Sequence, residues 1–219
     1  MPISLKNVPL FQGLTESELD SIKDCLHEKS FAKGESLLAE GQACGRIFIV
    51  RLGRVKLYRN SGSGREQILE ILGPGDTCAC NPGTREWHCA SSAEAETPCT
   101  VWFLSIDNYI RMLQTHNQLA HTLNKLFAER LRCFSSLIEE ISLKDTQKRL
   151  VKFILDMTVE KKEEKVLFLP LTQEEIAQRI GTTRETVARH LSGLKQLKLI
   201  DLKPYQIIIR DKEGLKRLL

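Results

Sequence analysis

Residues 171 to 200, LTQEEIAQRIGTTRETVARHLSGLKQLKLI, constrain the fold of this chain more than any other stretch, because they spell two short helices joined at a single glycine. Thr172 stands three residues before Glu175, the reciprocal pair that caps a helix N-terminus, and apolar Ile176, Ala177 and Ile180 then recur on one face. Gly181 follows the last apolar position, where a left-handed backbone costs least. Thr182 or Thr183 can cap a second helix that runs through Val187, Leu191, Leu194 and Leu197. The spacing predicts a helix-turn-helix. On its second helix Arg184, Glu185 and Arg189 form an exposed arc near the N-terminal end, the end that enters the major groove of DNA. Arginine pairs with guanine O6 and N7, and a glutamate accepts from the cytosine amino group, so these three are the expected base-reading residues. Thr172, Gln173, Thr183 and His190 are expected on the phosphate backbone, where contacts position a helix without specifying sequence.

Beyond the second helix, LIDLKPYQIIIRD reads as two β-branched runs around a turn at Lys203-Pro204-Tyr205-Gln206, and KVLFLP ahead of the first helix supplies another strand. A winged helix-turn-helix domain is expected over residues 143–219. The 219 residues are enough for two cores. A formal net charge of +4 is mild, so binding to double-stranded DNA rests on the local motif and not on bulk charge. No apolar stretch is long enough to cross a bilayer, and MPISLKNV lacks the basic-then-apolar pattern of a secretory signal. A cytoplasmic protein without a membrane partner is expected.

Residues 1 to about 30 read as a capped helical lead-in, with Thr15 and Glu18 before Leu19, Ile22 and Leu26. From Phe31 to Ile106 short alternating strands punctuated by glycine take over: SLLAEG, RIFIVRLG, RVKLYRN, QILEILGPGD and CTVWFLS. They predict a β-barrel or roll, a sensor domain over 1–106. A long helix is expected over 107–142, since no proline or glycine interrupts the apolar stripe from Leu119 to Ile141. Part of that stripe packs on its own β-domain. A near-seven-residue repeat through Leu123, Arg130, Phe134 and Ile141 is compatible with a two-stranded coil, and a reader of twofold-symmetric DNA wants a dimer. Leu123, Phe127, Phe134 and Ile141 are therefore the expected homodimer face, and a bend near 142–144 the expected hinge. The fold class is α+β.

This order of elements resembles the CRP/FNR superfamily of bacterial transcription regulators over essentially the whole chain. PLFQGLTESEL, the EGQ turn at 40–42, RLGRVKLY, GPGD at 73–76 and the Arg-Glu-Thr-Val-x-Arg motif from Arg184 to Arg189 carry the resemblance. It implies a β-roll of the cyclic-nucleotide-binding type, a dimer whose DNA readers are reoriented by an effector in the roll, and a palindromic operator with TGTGA-like half-sites. RNA polymerase is a further expected partner. Members that bind cyclic AMP hold its ribose with a Gly-Glu pair and its phosphate with an Arg-Ser or Arg-Thr pair. Here Cys80 falls where that glutamate would be and Cys89 where that arginine would be. A phosphate buried unpaired costs several kcal/mol, so cyclic AMP is not the expected effector.

The chain has seven cysteines, an odd number ill suited to a disulfide framework. Cys25, Cys44 and Cys133 are scattered, whereas Cys78, Cys80, Cys89 and Cys99 are close in sequence and are the expected ligands of an iron–sulfur cluster or a soft metal ion. Cys99 also matches the β-roll cysteine that helps hold an iron–sulfur cluster in the oxygen-sensing branch of the family, whose N-terminal cysteine cluster is absent here. Haem is the second reading: GDTCACNPG resembles the haem-binding segment of the carbon-monoxide-sensing branch, with Pro2, Cys78, Cys80 and His88 as candidate ligands. A cofactor-free thiol switch such as Cys80 with Cys89 is the third, and cysteines that only fill a core around an organic ligand are the fourth. Trp87 and Trp102 are expected to pack in the core or at its rim near the sensor. An enzyme is not expected, because His88 is the one base beside a cysteine and strand alternation turns it away.

Overall fold

Alternating apolar and polar residues lay most of the first half of the chain into strands. The computed structural model describes residues 2–62, 64, 66–78, 86–143, 145–157, 166–167, 171–203 and 206–219. Two units divide it, 1–133 and 134–219, each with its own apolar core. The first unit opens with two 3-10 turns, Leu5–Asn7 and Pro9–Phe11, and helix α1, Glu16–Lys23. Thr15 caps α1: the Glu18 N–H donates to its hydroxyl, and the Glu18 carboxylate accepts the Thr15 N–H at 2.7 Å. Strands β1 (Leu26–Phe31), β2 (Ser36–Leu38), β3 (Arg46–Leu52), β4 (Val55–Asn60), β5 (Glu66–Leu72), β6 (Ser92–Ala95) and β7 (Cys99–Ser105) follow. They form two antiparallel sheets, β1-β7-β3 and β2-β6-β4-β5. Ile47, Phe48, Ile49 and Val50 of β3 are all buried, and Phe103 meets both Phe48 and Phe31 edge to face.

The five strands legible in the sequence are present, and two more accompany them. The lead-in helix stops at Lys23, because LHEKSF pairs with β7 along its whole length as β1 while exposing four of its six side chains. A strand that shows solvent mostly polar groups leaves no alternation to read. Strand β6, SAEA, offers no β-branched or aromatic residue, the types that mark strands.

The helix expected over 107–142 is broken in two. Helix α2 (Ile106–Thr115) ends at His116, whose backbone is extended, and α3 (Asn117–Leu143) begins after it. His116 Nδ1 lies 3.0 Å from Glu18 Oε1, a tertiary contact that sequence periodicity does not reveal. The expected dimer face also needs correction. Leu123 belongs to the core of the roll and Phe127 packs against it, so both are engaged within the chain. Phe134 is half-buried, and the side chain of Ile141 lies outside the described residues. Among the described residues, the large apolar side chains that α3 exposes are Leu131 and Ile138, at 67% and 64%, seven residues apart.

The second unit comprises α4 (Thr146–Asp156), β8 (Val166–Leu167), α5 (Gln173–Ile180), α6 (Arg184–Gln196), β9 (Ile200–Lys203), β10 (Gln206–Ile209) and α7 (Lys212–Lys216). The strands pair antiparallel in the order β8-β10-β9, the expected wing, although Pro204 and Tyr205 of its turn lie outside the described residues. Lys144 of the expected hinge lies outside them too. Among the described residues no helix is long and apolar enough to cross a membrane.

Candidate nucleic-acid interface and thiol site

Helix α5 is capped as its sequence predicts. The Glu175 N–H donates to the Thr172 hydroxyl at 3.2 Å, and Glu175 Oε2 accepts the Thr172 N–H at 2.6 Å. Gly181 then turns the chain with φ 69 and ψ 49, a left-handed conformation that costs a Cβ-bearing residue about 1 kcal/mol or more. Arg149 of α4 donates to the Gly181 carbonyl at 3.2 Å and so ties the turn to the unit's core helix. Of the two candidate caps for α6, Thr183 serves: it accepts the Thr186 N–H at 3.3 Å. Val187, Leu191 and Leu194 are buried, as the spacing requires, but Leu197 is 61% exposed because the helix ends there.

At about 100° per residue, Glu185 and Arg189 point away from the buried face of α6, whereas Arg184, in the first turn, lies about 50° from that face. All three of these side chains are exposed. His190 and Gln173 are half-buried, Thr172 and Thr183 exposed, and both hydroxyls are engaged in capping. An open cleft of about 660 Å³ runs between the start of α5, α6 and the wing, lined by Thr172, Gln173, Arg184 and Lys203 among others. Lys203 brings an exposed cation to the wing that the sequence did not single out, because its place beside Arg184 depends on β9 folding back. The end of α6 is locally strained: Lys198 takes φ 58, where glycine is usual, while the Leu199 N–H closes back on the Leu194 carbonyl at 3.1 Å.

In the roll, the cysteines are grouped differently from their sequence spacing. The Phe48 N–H donates to Cys78 Sγ at 3.1 Å, and the Cys78 N–H returns a bond to the Phe48 carbonyl at 3.0 Å. Near Cys78 lie Cys89 and Cys44, and Cys44 hydrogen-bonds with Cys89. Cys44, passed over in the sequence as isolated, is thus a member of the group. Cys99 sits elsewhere. It opens β7 opposite Phe31 and packs on Gly53, whose added Cβ would fall 2.6 Å from the Cys99 Cβ. Phe48 pairs with Phe103, four residues along β7 from Cys99, or about 13 Å at about 3.3 Å per residue. Cys80 lies outside the described residues. Among the described residues, no three His, Cys, Asp or Glu side chains are placed to hold a metal ion together.

Burial decides the charge state of these thiols. It pushes Cys78 up to about 12, against the pull of the Phe48 N–H, and Cys89 up to about 11, with Cys44 adding to the rise. Burial also raises Cys99, and Glu35 reinforces it. At neutral pH Cys78 and Cys89 are uncharged thiols. His88 is exposed while Cys89 beside it is buried, as alternation predicts, and Pro2 is exposed at the N-terminus. Trp87 has a buried indole N–H without a partner among the described residues, and its carbonyl accepts the Cys44 N–H at 2.8 Å. Trp102 instead donates from its ring to Glu28 at 3.0 Å, with the Arg51 guanidinium 5.4 Å from the ring centre.

One residue of α3 reaches this group. Arg130 pairs with Glu70 of β5, Nε to Oε2 at 3.0 Å, and donates to the Thr77 carbonyl at 2.9 Å, one residue before Cys78. A cleft of about 200 Å³ beside it is lined by Pro9, Glu70, Thr77, Phe127 and Cys133 among others. The sequence marked position 130 only as an element of a repeat; nothing local shows that it clamps the helix to the segment leading to Cys78.

Two family models match the chain, a cyclic nucleotide-binding domain over residues 28–116 and a Crp-like helix-turn-helix domain over 148–218. A CRP-like cAMP-activated global transcriptional regulator of Mycobacterium tuberculosis is 30% identical over 222 residues, with 97% of each chain covered. The chain belongs to the CRP/FNR superfamily. It is a DNA-binding transcription regulator, and its relatives carry the names of regulators, not of enzymes. An anaerobic regulatory protein of Haemophilus influenzae is 26% identical over 92% of this chain and 80% of its own. The solved structure of a CRP/FNR-family transcriptional regulator from Eubacterium rectale superposes with a TM-score of 0.79 at 27% identity, covering 96% of this chain and 97% of that one. The β-roll followed by a winged helix-turn-helix is the fold of that superfamily.

Proposed function

We propose that this CRP/FNR regulator binds a palindromic operator as a homodimer and takes its signal through the buried thiols of its roll. The observation that carries this reading is that Cys44 and Cys89 lie near Cys78, which accepts the Phe48 N–H of β3 and directly follows the residue whose carbonyl Arg130 holds. A chemical change at the thiols moves the segment before Cys78, and Arg130 passes that movement to α3. Leu131 and Ile138, one heptad apart, form the seam against a second copy. Arg184, Glu185 and Arg189 read TGTGA-like half-sites, and RNA polymerase is the partner of the DNA-bound dimer.

Cyclic AMP activates the mycobacterial relative by its name, but the anchors are different here. Cys89, which falls by sequence pattern where the phosphate-holding arginine would be, is buried. The described residues do not fit a four-cysteine iron–sulfur cluster either, since Cys99 lies apart from Cys78 and Cys89. Haem finds a buried Cys78 and an exposed His88, and the cleft by Arg130 is smaller than the roughly 300–1,000 Å³ usual for cofactor pockets. What fits best is chemistry at the thiols themselves.

The test is selection of bound sequences from random DNA, followed by affinity measurements on reduced, oxygen-free protein with cyclic AMP, an oxidant or a soft metal ion added. The reading expects palindromes with half-sites about 10 base pairs apart, centre to centre, and a response to thiol chemistry alone. A response to cyclic AMP that survives replacement of Cys44, Cys78 and Cys89 sinks it.

A further inference from the structure

We propose that Cys44 and Cys89 form a two-coordinate site for a soft, thiophilic cation, a reading that rests on the thiol-borne signal proposed above. The segments that carry them meet at an antiparallel bridge, Ala43 opposite His88. The Cys44 N–H donates to the Trp87 carbonyl at 2.8 Å and the Cys89 N–H to the Gln42 carbonyl at 2.9 Å, which fixes the register on both sides of that bridge. Ala43 and His88 face outward and are exposed; one residue along each segment, Cys44 and Cys89 turn inward and are 2% and 4% exposed. The backbone therefore brings the two thiols near each other across the bridge, with the Cys44 thiol also donating to the Arg46 carbonyl at 3.6 Å.

Their register bears on what they can do. Cys44 is opposite Trp87 and Cys89 opposite Gln42, so the two cysteines are diagonal neighbours. Diagonal positions in an antiparallel pair are about 7–8 Å apart, beyond the roughly 4.4–6.8 Å between the Cα atoms of a disulfide. Closing a disulfide would require the backbone to move. A cation between the sulfurs needs a span of about 4.6 Å, two metal–sulfur bonds of about 2.3 Å, which a small turn of both side chains supplies. On binding, each thiol gives its proton to solvent and each sulfur donates one electron pair to the metal; no electron is transferred. A monovalent ion leaves a complex of charge −1 and a divalent one a neutral complex.

Among the described residues, two thiols make up the donor set. Cys78 is tied to β3 through the Phe48 N–H, and among the described residues no three His, Cys, Asp or Glu side chains are placed to hold an ion together. Zinc, which takes four donors in structural sites, is poorly served; a soft cation content with two sulfurs in line is well served. Burial keeps water from making up missing ligands.

The experiment uses full-length reduced protein in which the exposed Cys133 and half-buried Cys25 are replaced by serine. It is titrated in separate arms with mercuric ion and with Cu(I), each against excess glutathione. The expected result is one equivalent retained, with two sulfur neighbours by X-ray absorption. Cys44→Ser or Cys89→Ser loses retention by about a hundredfold or more, because a second donor on the same scaffold adds about 10²–10⁴ over one alone. Cys78→Ser and Cys99→Ser retain the ion. Circular dichroism, with Cys44→Ala and Cys89→Ala as second variants, separates loss of a ligand from loss of fold. Retention that survives both the Cys44 and Cys89 replacements, or three or four sulfur neighbours, overturns the site. Retention in one arm assigns the charge class the site takes. An ion held as expected with unchanged operator affinity leaves the site standing and defeats the thiol-borne signal instead.

Discussion

Arg184, Glu185 and Arg189 stand exposed within six residues of one helix, whereas Cys44, Cys78 and Cys89 are buried and come from three separate segments of the roll. The first group depends on its neighbours only for orientation: a threonine cap, a left-handed glycine and an arginine holding the turn. The second group is part of the core it sits in. Cys78 is simultaneously a hydrogen-bond acceptor for β3, a core side chain and a member of the thiol group. Change at the exposed helix should therefore alter affinity without stability, while change in the roll should alter both.

Arg184→Ala is expected to produce the largest effect, a loss of about 2–6 kcal/mol in operator affinity, taking about 1–3 kcal/mol for one bidentate base contact in each of two half-sites. Fluorescence anisotropy at fixed salt measures it, and the melting temperature should hold; a fall in both would erase the contrast between the two regions. Cys78→Ala should cost about 1–3 kcal/mol of folding stability by orphaning the buried Phe48 N–H, with Cys78→Ser recovering part of it because a hydroxyl can still accept. Urea unfolding reads this, and equal losses in both variants would show that the bond to Phe48 is unimportant. Arg130→Met keeps most of the side-chain bulk but removes the pair with Glu70 and the bond to Thr77. It is expected to retain DNA binding yet abolish the difference between signalled and unsignalled protein; an intact response would mean that the message does not travel through this clamp. The smallest change is a gain. Lys198→Gly should stabilise the second unit by about 0.5–1 kcal/mol by relieving its left-handed backbone, and a loss in thermal unfolding would show that the strain is compensated elsewhere.

The DNA-reading unit was legible because its determinants are local. The capping pair, Gly181 and the apolar spacing of α5 and α6 are all fixed within 25 residues of sequence, and each has its expected place. Only Leu197, at a helix end, and Lys203, brought in by the wing, escaped. The roll was legible as a class but not in detail. Its hydrophobic strands stood out, while β1 and β6 carry too few β-forming residues to announce themselves. At the helix break His116 meets Glu18, 98 residues away. Grouping the cysteines by sequence distance joined Cys99 to Cys78 and left out Cys44, because register across strands, and not separation along the chain, decides which thiols meet.

Trp87 gives the roll an optical property of its own. The chain has two tryptophans, and they occupy unlike settings: Trp102 is tied to a carboxylate with a guanidinium nearby, while Trp87 is bonded through its carbonyl to the residue that carries the Cys44 thiol. A heavy ion lodged between Cys44 and Cys89 quenches emission from the nearer indole, so Trp102→Phe should leave a single-colour reporter of the thiol pair. The molecule then needs no attached dye for occupancy of its interior to be followed in real time, with or without DNA present.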